Sequence, residues 1–177
     1  MKRLFFCLFL LPFFTYSQVN KDSLLNLWRN SSKNKDKLAV AKKIIWDVYL
    51  NTQPDSAFYY GELMYDLAKQ SNNMKYMAIA LESQGVSCVF RGSLSEAISL
   101  FEKSLELYKV INKPSSLSKI YDFLATTHFQ IGNYEISLDF FQKALKIANE
   151  NGDEVRKCSL YGNMGNVYQK QGKVSLA

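Results

Sequence analysis

Along most of this chain apolar residues recur at spacings of three and four, interrupted by short polar turns, and the whole arrangement repeats. Between Lys37 and Leu50 they stand at Leu38, Ala41, Ile44, Ile45, Val48 and Tyr49. That is the i, i+3, i+4, i+7 rhythm of a helix with one buried face. The residue before Pro54 is pushed away from helical backbone, so this helix ends in the turn from Asn51 to Pro54. A second helix follows from Ser56 to Lys69, either capped by Asp55 or carrying Pro54 in its first turn. The same pair returns as Met74 to Phe90 with Leu94 to Val110, and again as Ser116 to Gln130 with Tyr134 to Asn149. Asp153 to Lys170 opens a fourth pair, turned at Gln171-Gly172-Lys173, and Ala177 falls at the start of its second helix.

The landmarks of these pairs stand 40 residues apart: Ala57, Ala97, Ser137 and Ala177; Gly92, Gly132 and Gly172; Phe101 and Phe141. A two-helix unit at a fixed period is the signature of a solenoid, in which each unit buries its apolar face on its neighbours. The expected architecture is an all-α superhelix of about three and a half helix pairs. Its units cover about 37–73, 74–113, 114–152 and 153–177, the last incomplete. Residues 18–36 read as an N-terminal cap or linker. Asp22 or Ser23 caps a short helix carrying Leu24, Leu25, Leu27 and Trp28, and a solvated loop follows from Ser31 to Asp36.

These residues resemble the tetratricopeptide repeat (TPR) family. Its pattern is an aromatic, Leu-Gly, an aromatic, and later Ala, Phe and Ala on the second helix. The fourth unit matches with Tyr161, Met164, Gly165 and Tyr168; the second with Leu81, Gly85, Ala97 and Phe101, though Gln84 replaces Leu and Cys88 replaces Tyr. The third carries Tyr121, Leu124, Ala125, His128, Ser137, Phe141 and Ala144. The first is the most degenerate, with Gly61 in the Phe place. The family's common period is 34 residues, so each unit here gains helix length. The resemblance implies a non-catalytic scaffold whose concave face, lined by the first helix of each unit, binds a protein or peptide. The residues implied on that face are Lys42, Trp46 and Tyr49; Glu82, Val86, Val89 and Phe90; Asp122, Thr126 and Phe129; Asn163, Asn166 and Gln169. Val86, Val89 and Phe129 equally suit packing against neighbouring helices.

Composition narrows the context. The 47% hydrophobic content supports a real core in one domain. Residues 1–17 read as a secretory signal peptide: Lys2 and Arg3, eleven apolar residues from Leu4 to Phe14, then small residues before an expected cleavage between Ser17 and Gln18. Eleven apolar residues are too few to span a bilayer, which takes ~20. The expected location is periplasmic or facing the cell envelope, with no membrane contact after cleavage. Removing Lys2 and Arg3 lowers the net charge from +6 to +4. The basic residues are scattered, unlike the dense patch of a nucleic-acid binder. Exported arrays of this type in bacteria often precede a membrane helix and an effector, such as a histidine kinase, a nucleotide cyclase or a DNA-binding output domain. A sensory input region is therefore the alternative reading.

Reactive chemistry is sparse. His128 is the sole histidine and holds a core aromatic place, where a packed, hydrogen-bonded role is expected. Cys88 and Cys158 lie in different units, too far apart to bridge. Gly162-Asn163-Met164-Gly165 lies within a helix and lacks the Lys-Ser/Thr ending of a phosphate loop. No cofactor, metal or catalytic constellation is expected.

Overall fold

The computed structural model describes residues 11–173, with side chains from Lys21 onward. The first ten residues, with Cys7 and most of the expected export signal, and the last four, with Ala177, lie outside the described residues. All described elements are helical: α1 (Leu11–Asn30), α2 (Asn34–Lys43) running on into a π-helical segment (Ile44–Tyr49), α3 (Pro54–Gln70), α4 (Met74–Phe90), α5 (Leu94–Val110), α6 (Pro114–Ile131), α7 (Tyr134–Glu150) and α8 (Glu154–Lys170). Each helix packs on the next in order, the antiparallel stacking of a solenoid.

Several boundaries differ from the sequence reading, each for a local reason. Pro54 sits in the first turn of α3, one of the two starts read from the sequence, and Pro114 opens α6 ahead of the expected Ser116, because a residue with fixed φ and no N–H suits that position. Asp55 is thus inside α3 and caps nothing. α2 begins at Asn34 and absorbs the second half of the expected loop. α1 is continuous from Leu11, so Asp22 and Ser23 are mid-helix residues. Leu24 of α1 joins the core, and the Trp28 ring meets Tyr60 edge-on at 6.1 Å.

The helices are punctuated by a strict beat. Asn72, Gly92, Asn112, Gly132, Gly152 and Gly172, 20 residues apart, are the positions with positive φ. At each, two backbone bonds close the helix end: Gly92 N–H donates to Val89 O and Ser93 N–H to Cys88 O, and the same pair recurs at Gly132 and Asn133. This is the left-handed termination that satisfies orphan carbonyls, and it is why only Gly and Asn occupy those places. Thr52 holds the corresponding place in the first hairpin, and a β-branched residue resists positive φ. There the chain tightens differently. Leu50 N–H reaches back five residues to Ile45 O, and the helix widens to a π turn before Gln53 N–H closes on Tyr49 O.

Between units the core is keyed by the aromatic column. Phe101 is fully buried; its ring fills the space over Gly85, where a Cβ would come within 2.6 Å, and stacks on Phe123 of the next unit at 5.3 Å. Phe141 is buried likewise. In the first unit Gly61 holds that place, and Gln84 of α4 fills part of the space, its Cγ 2.7 Å from where a Cβ would stand. A second key joins the two helices of the second unit and those of the third. Ser104 Oγ on α5 donates to Ala78 O on α4 at 2.9 Å. In the next unit the roles reverse, and Ser118 Oγ on α6 donates to Ala144 O on α7 at 2.9 Å.

Successive first helices touch one another, α2 with α4, α4 with α6 and α6 with α8, more closely than α3, α5 and α7 do. That asymmetry curves the stack with the first helices on its inner side. Among the described residues, no helix is long and apolar enough to cross a membrane.

Candidate functional site

The inner face is built from one register position after another of α2 with its π segment, α4, α6 and α8. What distinguishes it is a seam of polar side chains bridging successive first helices. The Trp46 indole N–H donates to Ser83 Oγ at 3.0 Å. Glu82, only 1% exposed, is held on both carboxylate oxygens: Tyr108 OH donates to Oε2 at 2.9 Å, and Lys119 Nζ lies 2.7 Å from Oε1. The Lys119 ammonium also stands over the Trp46 ring, 5.9 Å from its centre. A buried carboxylate survives only when its lone pairs are met in this way.

Asp122 occupies the place of Glu82 one unit later. Asn163 Nδ2 donates to its Oδ1 at 3.2 Å. Arg156 sits loosely between Asp122 and Asp153, 3.7 Å from an oxygen of each, and its buried Nε has no hydrogen-bond partner. Burial raises the Asp122 pKa, opposed by the Asn163 hydrogen bond and the Arg156 charge.

The residues expected on this face divide into three groups. Lys42, Asn166, Gln169 and Phe90 are exposed. Trp46, Asp122, Thr126 and Asn163 are half-buried, at the seam or beside it. Val86 and Val89 are half-buried against the main core, and Phe129 against the second core cluster, its ring 5.8 Å from Tyr134. Two expectations are corrected. Glu82 is sealed between α4, α5 and α6 and spends its charge within the fold. Tyr49 is buried, its ring stacked on Tyr60 at 5.5 Å, on the apolar stripe that its spacing gave it.

Sequence reasoning passed over Lys119, Tyr108, Ser83 and Arg156. A signal existed for two of them. Lys119 stands where the preceding unit has the buried Ile79, and Tyr108 where the flanking units have Ala68 and Ala148. A charged or hydroxylated group in an otherwise apolar column marks a polar contact.

His128 is half-buried and lies flat on Phe140 with ring centres 5.6 Å apart, and Asn133 Nδ2 lies 3.5 Å from its Nδ1. Burial lowers its pKa, with Glu102 opposing. Cys88 and Cys158 are free thiols, and burial pushes Cys88 up to about 11, which keeps it protonated. Among the described residues, no group of three or more His, Cys, Asp or Glu side chains is placed to hold a metal ion.

A tetratricopeptide repeat family profile matches residues 76–150 and 116–177. No curated protein sequence matches the chain. Among solved structures, the chain is similar to BtubC from P. vanneervenii, with TM-score 0.74 and 13% identity, covering 94% of this chain and 69% of that one. It is also similar to a signal transduction ATPase with numerous domains that carries a tetratricopeptide repeat sensor, from Pyrococcus horikoshii. That match has TM-score 0.74 and 18% identity, covering 89% of this chain and 26% of that one. The apo form of RapI matches with TM-score 0.71 and 14% identity, covering 93% of this chain and 74% of that one. At these identities the likeness is one of fold.

Proposed function

Because the chain belongs to the tetratricopeptide repeat family, we propose that it is an exported, non-catalytic scaffold that holds a protein or peptide along its inner face. The observation that carries this reading is the seam itself. Trp46, Lys119, Asp122, Arg156 and Asn163 place an aromatic face, an amide and charged groups of both signs along one inner surface. Interfaces favour Trp and Arg as anchors within a ring of weaker polar contacts. Asn166 and Gln169 extend that surface with free amides able to bond a peptide backbone.

The test is a pulldown with the intact chain and with a Trp46→Ala, Asn166→Ala, Gln169→Ala variant. A partner captured by the first should fall at least about tenfold in the second, since anchor truncations cost about 2 kcal/mol or more. Equal capture by both forms would remove the inner face from consideration. Export carries its own check. Mass spectrometry of the mature protein should find its first residue at Gln18, and a mature chain beginning at Met1 would overturn the cleavage.

A second reading, a sensory input region, is supported by the likeness in fold to the signal transduction ATPase from Pyrococcus horikoshii that carries a tetratricopeptide repeat sensor. A coding sequence running past Ala177 into a span of ~20 apolar residues would support this reading. A stop codon at that point would end it.

A further inference from the structure

On the outer side, α3 and α5 diverge over α4 and leave a cleft of about 320 Å³. It lies where two columns of the repeat depart from pattern together. Gly61 stands in the column of Phe101 and Phe141, and Gln84 in the column of Ile44, Leu124 and Met164. Without an aromatic plug, the Gln84 stem crosses to Gly61 and its amide comes to line the cleft. Gln84 is 6% exposed, and among the described residues its side chain makes no hydrogen bond; what it exposes opens into the cleft. The bonds of that amide are therefore left to whatever fills the cleft, whereas every other member of the column is apolar.

We propose that this cleft binds the guanidinium group of an arginine presented by a partner polypeptide. Leu81 and Leu100 form apolar walls for the methylene stem, and Tyr65 adds an aromatic side chain to the lining. Glu62 and Asp66 stand on the α3 rim and Lys103 on the α5 rim, so the rim as a whole is negative. A guanidinium has five N–H donors and no acceptor, which suits one amide oxygen and two carboxylates. The volume is at the small end of the ~300–1,000 Å³ range of ligand sites, room for one long side chain rather than a folded ligand. This cleft and the inner face lie on opposite sides of the array, and neither proposal depends on the other.

The experiment follows the Gln84 side-chain amide of the mature chain by NMR during titration with N-acetyl-L-arginine N-methylamide. The citrulline analogue, of the same shape without the charge, is titrated in parallel. The arginine probe should shift the Gln84 amide in a saturable way, and the citrulline probe should bind at least about tenfold more weakly. Gln84→Leu makes a choice the repeat itself makes at Leu124, so it should keep the fold and lose the site, as read by calorimetry. Glu62→Gln with Asp66→Asn, both at exposed positions, should weaken binding several-fold, and Lys103→Gln should strengthen it. No shift with arginine, equal binding of citrulline, undiminished binding by Gln84→Leu, or tighter binding of free L-arginine than of the blocked form would each overturn the proposal.

Discussion

Phe101→Ala is expected to lower the free energy of unfolding by about 3–5 kcal/mol in chemical denaturation, a large share of the total for a domain of this size. The ring is fully buried and joins three helices, lying over Gly85 of α4 and stacking on Phe123 of α6. Truncation forfeits its own burial and leaves a void that neither neighbour can close. Gly85 has no side chain to move inward, and Phe123 is anchored in the next unit. In a solenoid the stability is close to a sum of unit and interface terms. The second and third units should therefore lose part of their coupling, and the unfolding transition should broaden as well as shift. A loss below about 1 kcal/mol, typical of ordinary substitutions, would contradict the role given to this ring.

Lys119→Met is expected to be the most costly change on the inner face. It removes the cation 2.7 Å from Glu82 and strands a carboxylate that is 1% exposed. Breaking a buried pair from one side costs about 3–5 kcal/mol, and the 34% exposed Lys119 side chain argues for the lower part of that range, because water can partly replace it. The penalty belongs to the stranded charge, so Glu82→Leu added to Lys119→Met should recover stability. A double variant no more stable than the single one would show that the pair is not what matters. Tyr108→Phe tests the other oxygen, where loss of a hydrogen bond to a charged group costs about 1.5–3 kcal/mol. It also carries a pH signature. Burial, and then the Glu82 charge, raise the Tyr108 pKa above the ordinary 10.0. The stabilisation is complete below that pH and is lost as pH rises above it, where the unfolded phenol ionises and the folded one does not. The wild type should lose stability steeply above pH 10, and Tyr108→Phe should flatten that loss.

Helix boundaries were most legible in the sequence where turn chemistry was strong. Met74 to Phe90 and Leu94 to Val110 could be read to the residue because Asn73 and Gly92 mark their ends with backbone preferences that few residues share. The first unit was least legible because Thr52 stands where the later hairpins carry Gly or Asn. The compensation, a π turn over Ile44–Tyr49, depends on tertiary fit rather than on any local motif. Tyr49 is buried as its spacing placed it, against the groove position that the family resemblance implied. Periodicity identified which column Glu82 occupies but not its burial, since that depends on Tyr108 and Lys119 arriving from two other helices. A pattern read along one chain registers sides of a helix; it does not register meetings between helices 26 and 37 residues apart.

The reversed serine–alanine contact bears on how the chain sorts itself during folding. Hairpins of such similar design could pair α4 with α7, or α6 with α5, and misassembly between lookalike neighbours is a known hazard of repeat proteins. A wrong partnership would bring Ala78 opposite Ala144 with no hydroxyl between them, or Ser118 opposite Ser104 with one hydroxyl too many. These four helices thus recognise their proper mates by a single oxygen atom, a tag that discriminates among siblings without altering the shape they share.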